Sequence, residues 1–273
     1  MSNAKRYTLT AMLAVSMGCG FAMTAWAGPA TNPTGLSIMQ AVDNREDGDD
    51  LRQQMTQTLV DRNGNQRQRH MVAFRKDFGK DSKLITFFTA PANIRDTALL
   101  TFDYDDPDAD DDQWLYLPAL KKVRRISSSD RGDYFMGTDF TFEDMKQTPE
   151  LDDYHWTLLG SEQVDGHDCW KVEGKPATED IMRELGYSKM IQYIRKDNDF
   201  SIRSDYWDQA GRELKHLHVI NMEKTQGIWS ALKIEMTNVQ SQHKTILGLA
   251  EQQYNTGLKD RLFTQRTLKR GHR

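Results

Sequence analysis

Seven histidines, two cysteines and 40 acidic residues give this 273-residue chain raw material for metal or acid–base chemistry, yet little of it is spaced for that work. There is no G-x-S-x-G elbow, no H-E-x-x-H pair, no phosphate-cradling glycine loop and no paired cysteine motif. His216 and His218 share one face of a strand and could chelate a metal, but spacing supplies no third ligand. The run Asp103 to Asp112 holds seven aspartates and has the charge to attract calcium. It lacks the sixth-position glycine and closing glutamate of a helix-loop-helix calcium site, so it reads as a solvated loop between strands. Cys169, beside Trp170, has no assignable base and reads as a buried apolar residue. No nucleophile has a base, so the expectation is a protein that is not an enzyme and carries no cofactor and no metal.

The densest positive charge is Lys121, Lys122, Arg124 and Arg125, a cationic rung in Asp112-Gln-Trp-Leu-Tyr-Leu-Pro-Ala-Leu-Lys-Lys-Val-Arg-Arg-Ile126. These residues fit anionic headgroups, an acidic partner surface, or a solvated face paired with nearby aspartates. Gln113 to Leu117 alternates as a strand with Trp114 and Tyr116 on one face and Leu115 and Leu117 on the other. Pro118 ends it, and a second short strand over Val123 to Ile126 makes a hairpin. The following Ser128 to Met145 is punctuated by Gly132 and Gly137 but carries Tyr134, Phe135, Met136, Phe140 and Phe142, more large apolar side chains than a solvated loop needs.

The elements around this stretch follow a simple rhythm. Met1 to Ala27 has a basic start at Lys5 and Arg6, an apolar run over Leu9 to Ala25 and an A-x-A site at Ala25-Trp26-Ala27, the pattern of a secretory leader cleaved after Ala27. Two alternatives are a membrane anchor, which the small residues argue against, and lipidation at Cys19, where Ser16-Met17-Gly18 lacks the usual leucine. Cleavage removes two of the 36 basic residues and none of the acidic ones, leaving residues 28–273 more acidic than the −4 of the whole chain, which disfavours nucleic acid as a partner. It also leaves Cys169 alone, so no internal disulfide can form.

Thr34 to Val42 carries a partial helical stripe, with Thr34 as a cap. From Leu51 the period becomes two. Arg52 to Asp61 and Gln66 to Phe78 flank the hairpin pair Asn63-Gly64, and Tyr154 to Gln163 and His167 to Lys175 flank Asp165-Gly166. Glu179 to Leu185 can form a helical turn, and Leu258 to Leu268 a short polar helix or a loose tail. The reading is mainly β, about eleven antiparallel strands in one domain, arranged as a sandwich or a barrel-like sheet.

WLYLPALKKVRRI, the glycine-punctuated loop and FMGTDFTFEDM together resemble the periplasmic outer membrane lipoprotein-sorting protein family, within the superfamily of the lipoprotein carriers LolA and LolB. The resemblance implies a strongly curved, open half-barrel with a few short helices as lid, a periplasmic location, and acyl chains of a lipid or lipoprotein as cargo carried toward the outer membrane. On that picture Phe74, Phe87, Phe102, Leu115, Leu117, Trp156, Trp170, Tyr193 and Tyr206 are candidates for the cavity wall, each also readable as ordinary core. Ser128 to Met145 becomes the candidate moving part. The resemblance also implies an alternative role, as an accessory or adaptor of an inner-membrane exporter of the resistance-nodulation-division (RND) type, with the loop and the rung as docking surface.

Overall fold

Residues 32–106, 109–146 and 149–271 are described in the computed structural model, and the leader predicted over Met1 to Ala27 lies outside them. Thirteen strands form one antiparallel sheet. In chain order they are β1 (Asp50–Val60), β2 (Gln66–Phe78), β3 (Asp81–Ala90), β4 (Ala98–Asp103), β5 (Asp112–Leu117), β6 (Lys122–Ile126), β7 (Tyr154–Val164), β8 (His167–Pro176), β9 (Tyr187–Arg195), β10 (Ser201–Asp208), β11 (Glu213–Thr225), β12 (Ile228–Asn238) and β13 (His243–Tyr254). The count exceeds the expected eleven because the central hairpin, β5 and β6, continues the sheet.

Every strand pairs with its neighbour in sequence except β6 and β7, and β1 pairs with β13 to join the two halves. The sheet is therefore a curved, open meander whose two edges are consecutive in the chain, and Ser127 to Asp153 has to cross from one edge to the other. Two tight turns are set by residue type. At Asp165-Gly166 both residues have positive φ (51° and 79°), and Gln226-Gly227 repeats this at 52° and 89°; both pairs match the right-handed twist of the strands they join.

Three α-helices accompany the sheet among the described residues. Helix α1 (Gly35–Asp43) begins at Thr34, whose hydroxyl accepts from the Ser37 N–H at 3.0 Å while Ser37 Oγ accepts from the Thr34 N–H at 2.9 Å. It buries Ile38, Met39 and Val42 against Val172 and Ile194. A Cβ at position 35 would meet the backbone of Trp156 and Thr157 at 2.7 Å, so the helix rests on β7 only because residue 35 is glycine. Helix α2 (Glu179–Leu185) joins β8 to β9, and α3 (Gln265–Arg270) is the last element among the described residues. None is long and apolar enough to cross a membrane.

Both faces of β2 to β5 are buried, for different reasons. Met71, Ala73, Phe88, Leu99 and Leu115 face the concave side. Val72, Phe74, Ile85, Phe87 and Leu100 point the other way, where the C-terminal segment lays Leu258, Leu262, Phe263 and Leu268 over them. The tail is thus a strap over the convex face.

Candidate functional site

The crossing segment fills one end of the half-barrel. Tyr134 and Thr141 form a bridge closed by Met136 and Gly137, both with positive φ (52° and 73°), and this small hairpin drives Phe135, Phe140 and Phe142 into the concave core. Phe135 is fully buried, with its ring centroid 5.6 Å from Phe142 and 6.0 Å from Phe88. The residues expected in a lid therefore form a plug, with Tyr134 alone strongly exposed among the aromatic ones.

Polar pins hold the plug to the sheet. Lys215, on β11 and wholly buried, donates to the Asp139 carbonyl at 2.8 Å and to Asp144 Oδ2, inside a ring of Tyr134, Tyr187 and Tyr206. Burial pushes its ammonium down from the ordinary value, with Asp144 opposing. Asp139 accepts from Thr245 Oγ1 at 2.7 Å and lies 2.7 Å from His243 Nδ1. Asn238 donates to the Tyr134 hydroxyl at 2.9 Å. At the other end of the plug Arg131 pairs with Glu143 at 2.9 Å and Asp153 at 2.6 Å. Removing one partner of a buried pair such as Lys215–Asp144 costs about 3–5 kcal/mol.

Beyond the plug a cavity of about 380 Å³ remains under the concave face. Its wall is largely apolar, with Met55, Leu84, Met190, Leu217, Leu247 and Leu249 beside the rings of Phe140, Tyr154, Tyr187 and Tyr206, and with Gln192 and Ser204 among its polar groups. Its far end is bounded by the link after α1, the β9–β10 turn and the start of β12, which supply Arg45, Phe200 and Trp229. The volume falls in the range of sites for one small ligand, ~300–1,000 Å³.

Of the side chains expected on that wall, Tyr206 lines the cavity. Phe74, Phe87 and Phe102 lie on the convex side under the C-terminal strap. Leu115 and Leu117 are concave but belong to the core packed around the plug. Trp156 and Trp170 pack beside α1, and Tyr193 is buried on the reverse of β9 with Lys171 and Arg203 over its ring. Strand period two presents two equivalent apolar faces, and local sequence does not say which of them lines the cavity.

The aspartate run is less solvated than expected. Asp103 and Asp111 turn toward Lys146, whose side chain is 3% exposed. Asp103, Asp111 and Glu150 bring their carboxylates within 4.8 Å of one another, a grouping able to hold a cation, and the Lys146 ammonium lies 3.7 Å from Asp103 and closer still to Asp111. His216 and His218 each turn to a separate carboxylate, Asp205 at 2.7 Å and Asp165 at 2.5 Å, so they do not converge on one ligand site. Cys169 is buried and burial pushes its thiol up, away from nucleophilic use. In the cationic rung Arg124 pairs with Asp130 and Arg125 with Asp112, both at 2.6 Å. Lys121 and Lys122 are exposed with no ion pair among the described residues, next to Leu120 at 62% exposure.

A curved, open antiparallel sheet with a largely apolar cavity under its concave face is a LolA-like fold. A model of a family described only as uncharacterized matches residues 80–270. A DUF1329 family protein from Desulfovibrio piger is 31% identical, with a TM-score of 0.80 over 86% of this chain and 97% of that one. This chain belongs to that family. An outer membrane lipoprotein-sorting protein domain from Vibrio parahaemolyticus is 30% identical, with a TM-score of 0.79 over 86% of this chain and 98% of that one. A LolA superfamily protein from Nitrosomonas europaea, at 21% identity and a TM-score of 0.66 over 85% of this chain and 98% of that one, shares the fold. No curated protein matches the sequence.

Burial, with Asp111, Glu143 and Glu150 nearby and Lys146 opposing, raises the Asp103 carboxyl to about 7. Its folded value lies above its unfolded one, so its contribution to stability is present in acid and is lost as the pH rises through about 7. Asp103→Asn should therefore gain on the wild type between about pH 5 and about pH 8 in urea unfolding. A pH-independent difference would show that Asp103 is ionised throughout.

Proposed function

We propose that this protein is a periplasmic carrier that holds an acyl chain of a lipid or lipoprotein in the cavity and hands it on toward the outer membrane, without making or breaking a bond. The observation that carries this reading is the largely apolar void of about 380 Å³ left between plug and sheet. Shielding a methylene from water is worth roughly 0.8 kcal/mol, so a wall of Met, Leu and Ile side chains is suited to a hydrocarbon chain. The similarity to the Vibrio lipoprotein-sorting domain supports the same reading, and the leader-like Met1 to Ala27 supports the location. Since Ser127 to Lys146 is pinned at one end, cargo enters and leaves at the other, past Arg45, Phe200 and Trp229.

Leu249 is half-buried and faces the void, so Leu249→Trp fills it without overpacking a closed core. In a displacement assay with a fluorescent fatty acid the variant should lose about tenfold or more in affinity while its unfolding free energy in urea stays within ~1 kcal/mol of wild type. Unaltered binding would put the acyl chain elsewhere, and no binding by either protein would end the carrier reading.

A docking role toward an anionic membrane or an exporter is favoured by one observation, the unpaired Lys121 and Lys122 beside exposed Leu120 at the β5–β6 turn. Reversing both lysines to glutamate should abolish co-sedimentation with anionic vesicles or capture of an RND-type exporter, leaving fatty-acid uptake unchanged. Retention of both partners would remove the turn from consideration.

A further inference from the structure

The cavity has one charged wall group without a counter-ion. Arg45, half-buried in the link between α1 and β1, stacks its guanidinium 4.6 Å over the Phe200 ring. It donates to the carbonyls of Glu46 at 3.1 Å and Trp229 at 3.3 Å. Among the described residues no carboxylate lies within ion-pair distance of it. Burial is the largest influence on this guanidinium and pushes it down, while Asp47 and Asp199 oppose it through space without touching it.

The other charges on the wall are matched. Asp47 meets Arg75 at 3.2 Å, Asp144 meets Lys215, and Glu143 meets Arg131 and Lys146, the latter also drawing in Asp103. A carboxylate-seeking ligand, a cationic one, would have to break one of these pairs.

A second donor is also unfilled beside Arg45. The Nη atoms of Arg75 are committed to Asp77, Asp47 and the Gly48 carbonyl, but its Nε is buried without a hydrogen-bond partner. The two guanidiniums are near enough that Arg75 lowers the Arg45 value further. A cation partly withdrawn from water and held only by carbonyls and a ring is stabilised by an anion, and hydrogen bonds to charged groups are worth about 1.5–3 kcal/mol. Leu51 faces Arg75 across β1 and β2, and the wall also carries Val219 and Leu249.

We infer that the cavity takes a single-chain amphiphile with an anionic head, a carboxylate or a phosphate, bound at Arg45 with the Arg75 Nε beside it and the chain running inward toward Met190 and Leu247. The inference rests on the carrier reading and names its cargo class. It places the polar head at the entrance and the hydrocarbon against the plug.

The test compares three ligands of one chain length, palmitate, a palmitoyl lysophosphatidate and neutral hexadecanol, on the mature protein by displacement of a fluorescent probe. Wild type should bind at least one of the two anions about tenfold or more tightly than the alcohol, and whichever anion binds better identifies the carboxylate or the phosphate as the head. Arg45→Gln should erase that preference and leave hexadecanol affinity unchanged, and Arg45→Lys should restore part of it. If wild type binds all three alike, or if Arg45→Gln weakens all three equally, the inference falls and the carrier reading stands. If none of the three binds wild type, the carrier reading falls and takes this inference with it.

Discussion

The buried ion pair between Lys215 and Asp144 determines how the concave face is used. A sheet that begins at β6 and ends at β7 obliges the chain between those edges to cross the half-barrel, and a crossing segment can either float over the opening or sink into it. Here it sinks. Three phenylalanines supply the apolar contact, but burial alone does not select one depth. Lys215 with Asp144, Asp139 with Thr245, and Arg131 with Glu143 and Asp153 each demand a partner at a set position. Together they place the plug at the end of the sheet where β11 and β13 begin, and so leave the opposite end hollow.

That asymmetry gives a single curved sheet two different interiors. Around the plug the concave side is filled by buried rings, with Phe88 and Phe135 in tilted contact and Phe135 and Phe142 edge to face. Toward Arg45 and Trp229 the lining mixes Leu51, Val219, Ala231 and Leu249 with Gln53, Ser230 and Gln252, and the void remains. The convex face needs a different solution, since β2 to β5 are apolar on both sides. The C-terminal strap covers it with Phe263 and Leu268.

Much of this architecture can be read from the residues. The period-two strands, the turns at Asn63-Gly64 and Asp165-Gly166, and the helix capped by Thr34 all lie where local chemistry places them. The central motif carried the family likeness. What local pattern could not give was the sidedness of each strand. Phe74 and Phe87 alternate with Ala73 and Phe88, and nothing within β2 or β3 says which set is concave. The answer depends on the tail more than 170 residues away in sequence, whose Leu258, Leu262, Phe263 and Leu268 are the signal that it covers a sheet face. The role of Ser127 to Met145 was hidden for a related reason. Its aromatic residues announce burial, but nothing in the local pattern of β11 marks Lys215 as the buried partner of Asp144.

Hydrogen exchange of the free protein tests this account most directly, at the amides of Phe135, Thr138, Asp139 and Phe142, which donate to Phe140 O, Phe135 O, Thr245 Oγ1 and Asp133 O. If the crossing segment is a fixed plug, these four amides exchange as slowly as those in the middle of β11 and β13, by global unfolding alone. Fast exchange at the four, slowed only when a fatty acid is bound, would contradict it and restore the segment as a gate.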